Sequence, residues 1–217
     1  MKLESRRKPR KFRPYRQTAR AQAAEAREIE ILAVFQNLLL RRTLDAVTLT
    51  AVAEGAGVTQ QTVIRKFGGK EGLLRALAHK IKDEVVERRR VEPGNVGTAI
   101  AVLVHDYESV GDLVMRLLMQ EGRDPALSDL LLLGRREHRQ WVAEVFAPTL
   151  STRGEFERGL LLDALVAATD LYVWKLLRRD FGYAPAHVAR VMELLATGLL
   201  RNEPNMIIPS SSGRATS

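Results

Sequence analysis

Residues 48–71 read TLTAVAEGAGVTQQTVIRKFGGKE, and their reading decides the fold. On propensity alone the β-branched triplet Thr62-Val63-Ile64 favours a strand. The flanks argue for helix. Thr48 offers a hydroxyl cap for a short helix over 48–55, and Ala56-Gly57-Val58 makes a three-residue turn with a glycine free to take positive φ. Thr59 caps a second short helix, which stops at Gly68-Gly69. Val63 and Phe67 lie four apart on one face of it, and with Leu49, Val52 and Val58 they close a small core. The other face shows Gln60, Gln61, Thr62, Arg65 and Lys66. Amides pair with base edges and cations hold phosphates, so this face suits a DNA groove. Two short helices, a tight turn and a polar outer face make a helix-turn-helix; the alternative is a solvated surface pair.

The charge map supports the first reading. The 217 residues carry +8 overall. Residues 1–20 hold nine Lys/Arg against one Glu, residues 41–90 eleven against six acids, and residues 91–217 thirteen against sixteen. A basic end on a near-neutral body points to a polyanion, either nucleic acid or an anionic membrane surface. In the arm RRKPRKFRPYR, Phe12, Pro9, Pro14 and Tyr15 interrupt the cations. Such an arm fits a narrow minor groove; otherwise it is a solubilising tail.

The rest of the chain reads as helix. Ile29, Leu32, Phe35 and Leu39 form a stripe within 21–41, and Leu73, Leu74, Leu77, Ile81 and Val85 continue a helix over 70–90. Further patterns cover 96–108, 110–122, 126–148, 153–181 and 186–201, with breakers at Gly111, Asp124-Pro125, Thr152 to Gly154, and Gly182 with Pro185. The expected fold is all-α: a disordered arm at 1–20, a helix-turn-helix domain at 21–68, a helical domain at 69–202 and a frayed tail at 203–217. No apolar h-region follows the twin arginines, and Asp163 and Asp170 interrupt the most hydrophobic run. A cytoplasmic protein with no membrane partner is expected.

The run Thr48…Val52-Ala53…Ala56-Gly57-Val58-Thr59…Thr62-Val63…Phe67…Lys70-Glu71…Leu73-Leu74 resembles the signature of the tetracycline-repressor (TetR) family, as does the helix before it. The likeness covers about 21–75. Ile64 stands where the family usually has a phosphate-binding Tyr, and Lys66 where it often has His. The resemblance implies a homodimeric regulator in which three N-terminal helices bind double-stranded operator DNA. It also implies that the last two long helices pair across the dimer, and that a small-molecule effector in the C-terminal domain tilts the fourth helix and separates the reading heads. The candidate DNA contacts are Thr48, Thr50, Thr59, Gln60, Gln61, Thr62, Ile64, Arg65, Lys66 and Lys70. Lys70 opens a helix at an N-terminus suited to phosphate.

In the C-terminal half, aromatic and polar side chains mix at helical spacing. His105, Tyr107, Met115, Arg135, His138, Trp141 and Asp170 are the candidate effector pocket; as helical stripes they also fit an ordinary core. Leu160, Ala164, Ala167, Leu171, Trp174, Leu195 and Leu199 form the candidate dimer seam. Asp163 and Asp170, seven apart on an apolar helix, each need a partner, with Arg178, Arg179 and Arg190 in range. The chain lacks cysteine, and none of G-x-S-x-G, a P-loop, G-x-G-x-x-G or H-E-x-x-H is present. No enzyme, metal or cofactor is expected. The competing non-enzymatic function is a weakly specific, ligand-independent nucleic-acid-packaging protein that binds through the basic arm.

Overall fold

The computed structural model describes residues 14–201, with side chains from residue 22 onward. The arm before residue 14 and the tail from residue 202 lie outside the described residues. The helices run α1 Pro14–Leu39, α2 Leu49–Gly55, α3 Gln60–Phe67, α4 Lys70–Arg88, α5 Val96–Leu118, α6 Pro125–Val145, α7 Ala147–Leu150, α8 Glu155–Ala168, α9 Leu171–Lys175 and α10 Pro185–Arg201; α9 continues into a π-helical turn at Leu176–Asp180. Among the described residues there is no strand, so the all-α expectation holds.

The chain forms two compact units that interleave along the sequence: Met1–Lys82 with Arg116–Leu130, and Asp83–Met115 with Leu131–Ser217. The sequence reading places one boundary at 68/69. The units divide differently because α4, α5 and α6 each have one end in one unit and the other end in the second.

In the first unit, Leu32, Phe35 and Leu39 of the expected α1 stripe are buried, but Ile29 is exposed and Ile31 takes the inward place, together with Leu44, Val47, Val52, Ala53, Val63, Leu73, Leu74 and Leu77. α2 packs on both α1 and α3. α1 begins at Pro14, not 21. Proline's fixed φ and missing N–H suit the first helical position, so the last residues of the assumed arm are helical.

The second unit is built on Ala99, Leu103, Val104, Val110 and Leu113 of α5 with Val142, Phe146, Leu165, Trp174, Val188, Met192 and Ala196. α8 packs against α10. Two expectations are corrected here. Gly111 does not break a helix; α5 is continuous over Val96–Leu118. A Cβ at Gly111 would lie 2.7 Å from ring carbons of Trp174, so the glycine makes room for an indole. The expected helix 153–181 is broken at Thr169-Asp170. There the Thr169 hydroxyl donates to the Leu165 carbonyl at 2.7 Å, and Asp170, at φ −71° and ψ 151°, accepts from the Tyr172 N–H at 2.8 Å to cap α9. Short polar side chains compete for backbone partners in this way, and two in a row end the helix.

Candidate DNA-reading face and buried polar cluster

The head is assembled by its caps. Thr48 is the N-cap of α2, its Oγ1 accepting the Ala51 N–H at 3.1 Å. Thr59 is the N-cap of α3, accepting the Thr62 N–H at 3.2 Å and sharing a hydroxyl bond with Thr62 at 2.9 Å. In the turn between them Gly57 takes φ 60°, and beyond α3 Gly68 closes the helix at φ 78°; both lie in the left-handed region that favours glycine. Val63 is fully buried and Phe67 partly so. The β-branched triplet is thus helical, with Val63 packing inward.

This leaves α3 with a defined outer face. Gln60, Gln61, Arg65 and Lys66 are exposed. Gln61 and Arg65, four apart, make no side-chain hydrogen bond or ion pair among the described residues. The others are engaged. Thr50 lies 3.2 Å from the Gln60 amide oxygen, linking α2 to α3. Lys66 pairs with Glu28 of α1 at 2.6 Å; such half-exposed pairs contribute ~0–1 kcal/mol, so a phosphate can compete for it. Ile64 is half-buried and brings no polar group to the face. Lys70 donates to the carbonyls of Leu44 at 2.9 Å and Asp45 at 3.2 Å. Its ammonium therefore ties α4 to the loop ahead of α2, a role its place at a helix N-terminus did not signal.

The second unit holds a buried polar cluster. Asp106 is fully buried. Its Oδ1 accepts from Arg88 Nε at 2.9 Å and Nη2 at 2.6 Å, and its Oδ2 accepts the same pair from Arg89 at 2.9 and 2.6 Å. Two bidentate clamps on one carboxylate satisfy a charge that burial alone would forbid. Burial opposes the Arg88 charge, but Asp106 and Glu84 outweigh it and hold the guanidinium above its ordinary value. Arg89 lies over the rings of Tyr107 and Trp141, 5.2 and 5.5 Å from their centroids, and its carbonyl accepts from the Trp141 indole at 3.0 Å.

Tyr107 donates to the Thr169 carbonyl at 2.9 Å, and burial pushes its phenol well up. His138 stacks on Trp141 and meets the Thr169 hydroxyl through Nε2 at 3.2 Å. Its Nδ1 is buried and has no hydrogen-bond partner among the described residues. Burial and the Arg89 charge lower the His138 pKa to about 4.

Of the residues named for the pocket, Tyr107, His138 and Trp141 therefore meet, through Arg89. His105 and Arg135 are exposed. Met115 makes none of these bonds. Asp170 is a helix cap, and its supposed arginine partners are held elsewhere: Arg178 by Glu108 at 3.0 Å, Arg179 by Asp112 at 2.8 Å and Arg190 by Glu193 at 3.0 Å. Asp163 pairs with Arg139. An open groove lined by Ala143, Leu150, Glu155, Arg158 and Leu162 takes in none of the named pocket residues. The residues named for the dimer seam differ in exposure. Trp174 and Leu171 are buried within the subunit, where the Trp174 indole donates to Glu108 at 2.8 Å and Arg179 lies 4.6 Å above the ring. Leu160 and Leu195 are exposed, beside Phe156 and Leu194; Ala167 is exposed, and Ala164 and Leu199 are half-buried.

Asp106 and Arg89 were missed as a site, although a signal existed. Asp106 occupies a slot in the stripe Ala99, Leu103, Asp106, Val110, Leu113 and Leu117, all of them buried. A charge in an apolar slot requires a partner, and the Arg88-Arg89-Arg90 run was in the sequence to supply one.

Among the described residues no helix is long and apolar enough to cross a membrane, and no cluster of three or more His, Asp or Glu could hold a metal. The model of the tetR family of bacterial regulatory proteins matches residues 31–77, which span α2, α3 and the flanking parts of α1 and α4. The HTH-type transcriptional regulator AlkX of Mycobacterium tuberculosis is 26% identical over 159 residues, spanning 72% of this chain and 70% of that protein. An uncharacterized HTH-type transcriptional regulator of the same species is 30% identical over 151 residues, 64% of this chain and 70% of that one. Among solved structures, a tetR-family regulator from Streptomyces coelicolor matches with TM-score 0.61 at 21% identity, over 81% of this chain and 79% of that one. Salmonella enterica GusR matches at 0.63 and 15% identity, over 82% and 96%. A helix-turn-helix with this capping, set in an all-α chain and matched along most of a known regulator's length, establishes that the protein belongs to the TetR family of transcriptional regulators.

Proposed function

We propose that this regulator is a repressor that binds operator DNA as a homodimer through α3 and leaves it when a small molecule binds the second unit. The observation that carries the reading is the outer face of α3, where Gln61 and Arg65 are exposed and, among the described residues, uncommitted on a helix fixed by caps at both ends. An amide for base edges and a guanidinium for phosphate or guanine are what a major-groove helix needs. Thr48, Thr59 and Lys70 serve this face by shaping it. Ile64 supplies no phosphate contact, so electrostatic affinity falls to Arg65, to Lys66 once released from Glu28, and to the basic arm.

Support for the dimer is the exposure of large apolar side chains, Phe156 and Leu160 on α8 and Leu194 and Leu195 on α10, two helices that pack on each other. For the effector site we favour the cluster of Arg89, Tyr107, His138 and Trp141, which combines aromatic faces with a buried cation and a buried imidazole nitrogen that has no partner among the described residues. Repeated selection from a random DNA pool by the full chain tests the function. An enriched inverted repeat is expected, since a two-fold dimer reads two half-sites. A pool that remains random would reject the operator reading in favour of packaging.

A further inference from the structure

Gln120 lies two residues past the end of α5 and is 7% exposed. It belongs to the same compact unit as the helix-turn-helix. Its Oε1 accepts the backbone N–H of Leu44 at 2.7 Å, and its Nε2 donates to the Arg116 carbonyl at 2.8 Å. The two bonds fix the orientation of the amide, because the N–H needs an acceptor and the carbonyl needs a donor. The Arg116 carbonyl belongs to the last turn of α5, whose carbonyls lack helical partners.

Leu44 sits in the connection between α1 and α2, four residues before the Thr48 cap. It is held at three points. Its N–H goes to Gln120, its carbonyl accepts from Lys70, and its side chain is buried at 3% exposure. The peptide groups of a connection are ordinarily left to water. Here a side chain distant in sequence reaches each polar group of one residue, the carbonyl also accepting the Val47 N–H at 3.2 Å, which fixes where the chain enters α2. α2 in turn packs on α3.

We propose that Gln120 is a positioning residue for DNA reading: through Leu44 it sets the placement of α2, and so of the face carrying Gln61 and Arg65. This rests on the reading that α3 binds DNA. The consequence is selective. Base-edge contacts demand close geometry, whereas long cationic side chains follow a phosphate through small displacements. Losing the Gln120 grip therefore weakens specific binding more than non-specific binding.

The test uses the full-length wild type, Gln120→Met and Gln120→Glu against a DNA site selected from a random pool and against random duplex. Met keeps the length and loses both hydrogen bonds. Q120M should bind the selected site about tenfold more weakly, the scale of one buried hydrogen bond, with random-duplex affinity changed by less than about twofold. The Leu44 amide should exchange faster in Q120M while amides of α10 keep their protection. The carboxylate of Q120E keeps an acceptor and lacks the donor, and protonation restores the donor. Burial at this position raises a carboxyl above its ordinary ~4.3, so the selected-site affinity relative to wild type should recover as the pH is lowered from ~8 to ~4.5. Where Q120M does not fold, this pH series carries the test alone. Equal loss on selected and random DNA, wild-type affinity in Q120M, or no pH-dependent recovery in Q120E overturns the assignment. A wild type that enriches no site overturns the DNA reading, and the assignment with it.

Discussion

Gln61 and Arg65 face outward from α3 four residues apart, and their chemistry assigns them different effects. Gln61→Ala should relax sequence preference, costing ~1–3 kcal/mol on the selected site if the amide pairs with a base, and little on random duplex. Arg65→Ala should weaken both and lower the slope of log K against log salt by ~0.9 if it neutralises one phosphate. Both are measured by salt-titrated gel shift; equal loss from both variants on every sequence would show that the base-reading side chain lies elsewhere. His138 carries a different expectation. Its folded pKa, about 4, lies below the ordinary 6.5. Between these values the unfolded chain binds more protons, so stability falls as the pH drops from 6.5 toward 4, by at most ~1.4 kcal/mol per pH unit. The Tm of His138→Gln should fall less steeply across that window; parallel curves would contradict the burial of an uncharged imidazole. At this scale the caps were legible, since Thr48, Thr59 and the Gly68 stop follow from local chemistry. Lys70 was not: its bonds to Leu44 and Asp45 span more than twenty residues, and nothing local marks them.

Among the elements, α5 shows what periodicity reveals and what it hides. Its stripe of Ala99, Leu103, Asp106, Val110, Leu113 and Leu117 runs on to Gln120, so the two polar side chains that do structural work occupy slots where apolar residues are expected. Reading the stripe as continuous would have exposed both; taking Gly111 as a breaker cut it in half. Gly111→Ala tests the reason for the glycine. Alanine favours helix by ~1 kcal/mol, but its Cβ would meet the Trp174 ring at 2.7 Å, and crowding a packed core costs ~1–3 kcal/mol. The net should be a lower Tm; a higher one would mean that the indole moves aside freely. Asp106→Asn removes the charge that holds Arg88 and Arg89, and breaking a buried pair typically costs ~3–5 kcal/mol. Urea unfolding should show it, and a cost under ~1 kcal/mol would mean that solvent reaches the cluster. The break between α8 and α9 was hidden for another reason. Thr169 and Asp170 end a helix by local hydrogen bonds, while the apolar pattern continues across them, so a period count cannot see the break.

For the whole molecule, the all-α class and the helix-turn-helix were legible because composition, spacing and capping chemistry agree. The division into units was not, because three helices pass from one to the other, and contacts such as Gln120 to Leu44 join residues far apart in sequence. For the dimer seam we propose, helical phase alone could not separate Leu160 and Leu195, which are exposed, from Leu171 and Trp174, which the subunit itself buries. Leu195→Glu should therefore give a monomer by sedimentation and lose most of the selected-site affinity, since one head alone reads half a site. Leu171→Glu should instead unfold the protein. We propose that the exposed face of α3 confers sequence-specific DNA binding. Its most direct measurement is the ratio of selected-site to random-duplex affinity, at one salt concentration, for wild type and Gln61→Ala. A ratio of ~10³ or more is expected for wild type and a clearly smaller one for the variant; a wild-type ratio near one, or a ratio unmoved by Gln61→Ala together with Arg65→Ala, would contradict DNA reading by α3.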